Sequence, residues 1–334
     1  MRFLLDSRVS AAVSVLSPGS GKDDAFKDAV IESLRSRILH IERHAPRRGV
    51  SAAPENSPLP RSRRRSRWEL GCPACDDLLP RGLEANSLHE IKGVPSAVRG
   101  ASAADWMAGI GFAARLAVRR IDTFAAGEEA HASSSMAGSG PGSGAGSGIG
   151  PWVLWCWPRQ LAGEFGSPSA AGLASLGLDP SRLIIVETAR AGDALNAIEE
   201  SLRAQSLAVV IGIVEEAELT PARRLSLAAG ETATPCLLVT HPASEPAGAT
   251  ATRWRVQRGG SAPHTFDPRA PGSPRFSIAL ERCRARPESA ARSPMLLEWS
   301  DETRRFDLAS IVADLPAQAR GADGRAVPAA VRAY

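Results

Sequence analysis

The sequence predicts an α/β fold, a mostly parallel sheet flanked by helices, with antiparallel strands at its C-terminal edge. Three observations carry that expectation. Between residues 152 and 240, short runs that are apolar almost throughout alternate with stretches of helical periodicity. Strands that do not alternate polar with apolar are buried on both faces, which calls for a parallel sheet covered by helices. Beyond Pro242 the pattern shifts to short alternating strands separated by turn signals, the mark of antiparallel pairing. A chain of 334 residues, 43% of them hydrophobic, can bury such a core.

The elements follow in order. Residues 1–20 show no clear periodicity. A helix is expected from Asp23 to about Arg43, with Phe26, Val30, Ile31, Leu34, Ile38 and Ile41 at three- and four-residue steps. Pro46 ends it. Together these form an N-terminal segment, 1–44. Residues 45–67, rich in Pro, Ser and Arg, read as a basic flexible tether. The main unit is expected over 68–312. In it, strand Leu88–Lys92 leads to a small-residue turn and a helix from Ala103 to Phe124. Residues 127–150 hold the run Ser139 to Gly146 of Gly, Ser, Pro and Ala, and read as a disordered surface loop. Then come a strand at Trp152–Cys156, a short helix at Ser169–Leu176 and a strand at Leu183–Val186. A helix at Asp193–Ala204 and a strand at Leu207–Ile213 follow. Thr220-Pro221 reads as N-cap and first turn of the next helix. Cys236–Thr240 closes the series, and Thr252–Gln257, Arg275–Arg282, Met295–Trp299 and Arg304–Leu308 form the antiparallel extension. The tail, 313–334, is rich in Ala, Pro and Arg and is expected to fray.

The charge balance is +4, yet eight arginines stand against one glutamate between Arg43 and Arg67. Basicity therefore belongs to the tether, and the remainder of the chain is slightly acidic. Within the tether, Arg61, Arg63, Arg64, Arg65 and Arg67 offer contacts to DNA phosphates. A solvated tether explains them equally well, and no interleaved aromatic residue points to base stacking. Five widely spread cysteines and no secretory signal fit a reducing cytoplasm better than a disulfide scaffold. No apolar run approaches the roughly 18 residues of a membrane span. Cys72-Pro73-Ala74-Cys75 has zinc-knuckle spacing but lacks a second ligand pair nearby, so buried or exposed thiols are expected and no metal site. His40 and His44 lie one helical turn apart without a third ligand.

The chemistry-bearing segment is the turn after Leu88–Lys92. A strand, small-residue turn and helix are where a phosphate loop places Gly-x-x-x-x-Gly-Lys-Ser/Thr. Here the turn contains Gly93, Arg99, Gly100 and Ser102, and no lysine or magnesium-binding hydroxyl stands at the required spacing. The loop reads as degenerate, without a catalytic residue or cofactor. A second candidate, Ser17 to Lys22, has Leu16 where the first glycine belongs and Asp23 where the hydroxyl belongs. No Gly-x-Ser-x-Gly elbow supports a serine hydrolase.

In their order these elements resemble the RecA ATPase core, and more closely the ImuA family of RecA-like accessory proteins. The segments that carry the likeness are Ser87–Ile91, Val153–Cys156, Gly172–Leu183, Asp193–Leu195, Ile198–Arg203, Ala222–Leu225, Ala251–Val256 and Leu296–Trp299. Against an active RecA ATPase, three features look lost: the loop's Lys and Ser/Thr, a carboxylate where Trp157-Pro158 follow Cys156, and an acid where Gly212 follows Val209–Ile211. The resemblance implies a non-catalytic adaptor in the SOS-type damage response and error-prone translesion synthesis. It implies an ImuB-like Y-family polymerase relative as partner, with a DnaE-type error-prone polymerase reached indirectly. The N-terminal helix stands where RecA proteins carry an oligomerisation helix, which leaves self-association open. The tail is the candidate for partner contact. Two alternatives remain: an ATPase that uses Lys92 or Arg99 for the phosphates, and a SulA-like cell-division inhibitor.

Overall fold

In the computed structural model, the residues described are 12–13, 32, 34–36, 67–79, 82–95, 102–135, 152–204, 206–264, 266–267, 269–291 and 293–309, with the side chains of 124–135 and of Ala291 excepted. The strands are β1 (Ala12–Val13), β2 (Arg67–Trp68), β3 (Leu83–Glu84), β4 (Leu88–Gly93), β5 (Trp152–Pro158) and β6 (Leu183–Thr188). They continue with β7 (Leu207–Val214), β8 (Cys236–Thr240), β9 (Thr252–Arg258), β10 (Arg275–Cys283), β11 (Met295–Ser300) and β12 (Arg305–Leu308). The helices are α1 (Pro73–Asp76), α2 (Ala103–Ser135), α3 (Arg159–Phe165), α4 (Ala170–Ser175), α5 (Ala191–Leu202) and α6 (Leu219–Thr232).

Ten strands form one sheet in the order β1-β6-β5-β7-β8-β4-β9-β10-β11-β12. Pairing is parallel from β1 through β9 and antiparallel from β9 onward. This is the predicted α/β architecture, and it agrees with the RecA-like resemblance. One detail is corrected. The stretch from Thr252 was expected to be antiparallel throughout, but β9 runs parallel to β4 (Ile91 opposite Trp254) and only its partner β10 reverses. The loop from His241 to Ala251 returns the chain to the start of the sheet, so direction is set by that return and not by the alternation of β9.

Each face of the sheet has its own core. On one face α2, α3 and α4 cover Ile91, Val153, Trp155, Trp157, Val209, Ile211, Leu237 and Val239. On the other, α5 and α6 cover Leu88, Leu154, Cys156, Ile184, Val210 and Leu238. Residues of β7 alternate between the two cores and all eight are buried, which is why the sequence there shows no polar positions. The antiparallel end is tied to α2 through rings: Phe112 meets Trp254, Phe276 and Phe306, and Trp299 meets Phe306 at 4.9 Å. Trp254 and Trp299 are fully buried.

Several boundaries moved. Helix α2 continues past Phe124 to Ser135, through the first nine residues of the stretch 127–150 that the sequence suggested was a loop. Glu128, Glu129, Ala130 and Ala132 are good helix formers, whereas the Gly/Ser run itself lies outside the described residues. Helix α6 begins at Leu219, one residue before Thr220, with Glu218 at its N-cap and no side-chain cap bond. Helices α1 and α3 and the β2–β3 ribbon were not foreseen. The ribbon sets Trp68 against the core, and α1 buries Cys75. All five cysteines are buried and unpaired. In the N-terminal segment residues 32 and 34–36 are helical. There Leu34 packs into the core beneath α5, and Arg35 donates to Glu200 at 2.8 Å.

Candidate functional site

Ligands of open α/β sheets gather beyond the carboxyl ends of the parallel strands. Here those ends are Gly93, Pro158, Thr188, Val214 and Thr240. Gly93 closes β4 directly beneath the first turn of α2. A Cβ at Gly93 would fall 2.3 Å from the Asp105 carbonyl oxygen, so only glycine lets strand and helix approach this closely. Ser102 stands immediately before α2, its carbonyl accepting from the backbone N–H groups of Asp105 and Trp106. The Asp105 carboxylate reaches back to take the Ser102 backbone N–H and hydroxyl, both at 2.9 Å. A helix N-terminus attracts anions through its unpaired N–H groups and its dipole. In this chain that position already holds the protein's own carboxylate.

Lys92 lies on the opposite side of β4 from α2. It is fully buried. Its Nζ donates to the Ser244 carbonyl at 2.6 Å and hydroxyl at 2.8 Å, and stands 3.9 Å from Glu90 Oε1. Burial pushes its pKa down, opposed by the Glu90 charge. Glu90 in turn accepts from Thr240 Oγ1, the Ala247 backbone N–H and Arg253 Nε at 2.7 Å. This buried network pins the 241–251 loop to the sheet and commits Lys92 away from the turn that follows β4. Above the strand ends, the Trp106 indole is wedged between His241, which follows β8, and Phe165, which ends α3, each at 5.6 Å.

Two of the three comparison points change. Strand β5 does not end at Cys156 but runs through Trp157 to Pro158; Trp157 pairs with Glu187 of β6, whose carboxylate accepts from Ser167 Oγ at 3.3 Å. Strand β7 continues two residues past Gly212 to Val214. Gly212 is a packing glycine: a Cβ there would fall 2.4 Å from Ile198 Cδ1. The residues that do follow β7 are Glu215 and Glu216, both exposed. An acid therefore stands at that strand end, contrary to the expectation placed on Gly212. Reading a glycine as a strand terminus caused the error.

Of the residues singled out in the turn, Gly93 and Ser102 are placed as described, while Arg99 and Gly100 lie outside the described residues. So do Arg61, Arg63, Arg64 and Arg65. Arg67 belongs to β2, where it bonds to Glu84 Oε1 at 2.8 Å and to the Gly82 carbonyl at 3.2 Å. Sequence reasoning missed Asp105, although Ser-x-x-Asp is a capping-box spacing. It also missed Glu215, whose signal was an acidic pair directly after an apolar run. Among the described residues no group of three His, Cys, Asp or Glu side chains is placed to hold a metal, and no helix is long and apolar enough to cross a membrane.

No family model matches the chain. Two curated relatives, both named Protein ImuA, from Caulobacter vibrioides strains NA1000 / CB15N and ATCC 19089 / CIP 103742 / CB 15, are each 33% identical over 125 residues. The match covers 34% of this chain, which spans about half (51%) of the length of each relative. The likeness to ImuA read from the sequence is thus supported over about a third of the chain.

Proposed function

We propose that this chain is a non-catalytic, RecA-like adaptor that works beside an error-prone polymerase in damage-induced mutagenesis. The observation that carries the reading is the state of the phosphate position. Asp105 occupies the N-terminus of α2, and Lys92 is held by Ser244 beside Glu90 on the other side of the sheet. Phosphoryl transfer is achieved almost wholly by positioning and charge neutralisation. A carboxylate at the anion position works against both. The similarity to Protein ImuA supplies the biological setting. An ImuB-like Y-family protein is the direct partner on this reading, and a DnaE-type polymerase an indirect one.

A second reading, an ATPase, is favoured by Glu215 and Glu216 at the end of β7, where an acid would serve a magnesium shell. One experiment separates them. Titration of the purified chain with a fluorescent ATP analogue, with and without magnesium, is expected to give no saturable binding. Release of phosphate from ATP at a rate abolished by Glu215→Gln would establish the enzyme and end the adaptor reading. Co-purification with the ImuB-like protein, expected in stoichiometric amounts, tests the partner.

A further inference from the structure

Helix α2 turns one ridge outward, and a concavity lies on each side of it. Met107, 47% exposed, and Gly111 belong to both. On one side a groove of about 300 Å³ is walled by Ile110, Ala114, Trp155, Trp157, Phe165 and Leu173. Its lining is almost entirely apolar. On the other side a larger hollow of about 620 Å³ opens between α2 and the loop joining β9 to β10, bounded by Ala104, Ala108, Arg115, Arg258, Pro271 and Phe276.

Arg115 is the unusual member. Its guanidinium lies over the rings of Phe276, at 5.1 Å, and Trp299, at 5.7 Å. Its single hydrogen bond among the described residues is from Nη1 to the Gly111 carbonyl one turn back, and its Nε has no acceptor. The carboxylate that influences it, Asp301, makes no ion pair with it and instead accepts from Trp299 Nε1 at 2.8 Å. Burial lowers its pKa to about 10, which leaves it charged at neutral pH. By contrast, Arg275 in the same wall is paired with Glu298 at 2.9 Å. A partly desolvated cation without a paired carboxylate gains when a ligand supplies one.

We infer that this double groove is a docking surface for a partner protein, which lays a short apolar segment bearing one Asp or Glu across the Met107–Gly111 ridge and sets that carboxylate on Arg115. Charge complementarity selects this occupant. One partly buried guanidinium, its Nε covered, with the exposed Arg258 at the rim, matches a single carboxylate. A nucleotide fits less well, because the Asp105 carboxylate sits one turn above the ridge and Arg115 already covers the ring face of Phe276. Apolar side chains of the segment would fill the Trp155–Trp157–Leu173 side, where burial supplies most of the attraction. The surface deepens the adaptor reading and rests on it for the partner's identity, not for binding itself.

A randomised library of about twelve-residue peptides, displayed on phage and selected against the immobilised full chain, is the test. Selected peptides should combine an acidic residue with neighbouring apolar ones. Their affinity should fall about thirtyfold or more with Arg115→Gln, the scale expected when one partner of a buried charge pair is removed. It should fall also with Met107→Asp, an exposed change that leaves the core intact and guards against misfolding of the first variant. Failure to enrich peptides, or peptides without an acid that bind both variants normally, overturns the inference. Displacement of the peptides by oligothymidine reassigns the groove to nucleic acid. Displacement by a synthetic peptide of residues 310–334 reassigns it to the chain itself. Either result overturns the partner proposal, and each is distinct from ATP binding, the result that would defeat the adaptor reading.

Discussion

His89 of β4 is enclosed between β9 and the β2–β3 ribbon, with Nε2 2.8 Å from the Glu84 carbonyl and Nδ1 2.8 Å from Thr252 Oγ1. A carbonyl accepts only, so Nε2 carries the proton. Thr252 Oγ1 accepts the Trp254 indole N–H at 3.0 Å and its hydroxyl donates a hydrogen bond to Nδ1. Every bond in this chain is satisfied by a neutral imidazole. Burial accordingly lowers the His89 pKa to about 4. The sign follows by linkage: the unfolded chain takes up its proton near pH 6.5, the folded chain only near 4. Stability is full above pH 6.5, falls as pH drops through that window, and levels off below about 4. The loss is roughly 3 kcal/mol. Urea unfolding at pH 7.5, 6 and 5 should show about two-thirds of it, and His89→Gln should flatten this part of the profile. Gly212 makes a different residue-scale prediction. Alanine there meets Ile198, and overpacking should destabilise by about 1–3 kcal/mol, read as a lower urea midpoint with unchanged m.

At the scale of elements, the capping of α2 governs the site. Asp105→Ala frees the Ser102 N–H and removes a negative charge from the first turn, so it should cost about 1 kcal/mol in thermal or urea unfolding. The same scale shows what the chain disclosed of itself. Strands whose residues are apolar in a continuous run announced themselves: Cys236–Thr240 was read to the residue, and Trp152, Leu183 and Leu207 as starts were correct. Continuous apolarity is imposed by two covering layers and survives in one dimension. What stayed hidden depends on three-dimensional return. Parallel pairing of β9 follows from where the 241–251 loop delivers it, and the two-residue ribbon of Arg67–Trp68 with Leu83–Glu84 is too short to leave a period. In the site, the sequence shows only that the turn after β4 lacks Lys and Ser/Thr at the phosphate-loop spacing. Lys92 looked available because sequence cannot show that Ser244, far along the chain, has captured it. Arg115 had no sequence signal at all, since its significance is the carboxylate it lacks.

Across the whole molecule, the parallel and antiparallel halves share one core. Phe112 of α2 touches rings from β9, β10 and β12, and Arg253 and Arg255 of β9 bond to Glu90 and to Glu281. The C-terminal strands are therefore not a detachable module. A chain ended before Met295 loses Leu297, Trp299 and Phe306 from the buried set, and each large side chain so removed is worth about 1.5–3 kcal/mol. Against a typical stability of about 5–15 kcal/mol, such a truncation should lack a cooperative thermal transition by calorimetry. The intact chain should show a single one. The burial of all five cysteines has a practical corollary for the same cooperative unit. Thiolate is the reactive form, and burial pushes Cys75, Cys156 and Cys236 far above the usual thiol range. Native protein should stay silent toward an aromatic disulfide reagent at pH 8, and the sulfhydryls of β5 and β8 should colour it only when the sheet itself comes apart. The molecule thus carries its own stopwatch for opening, wound by nothing more than where its sulfur atoms happen to be kept.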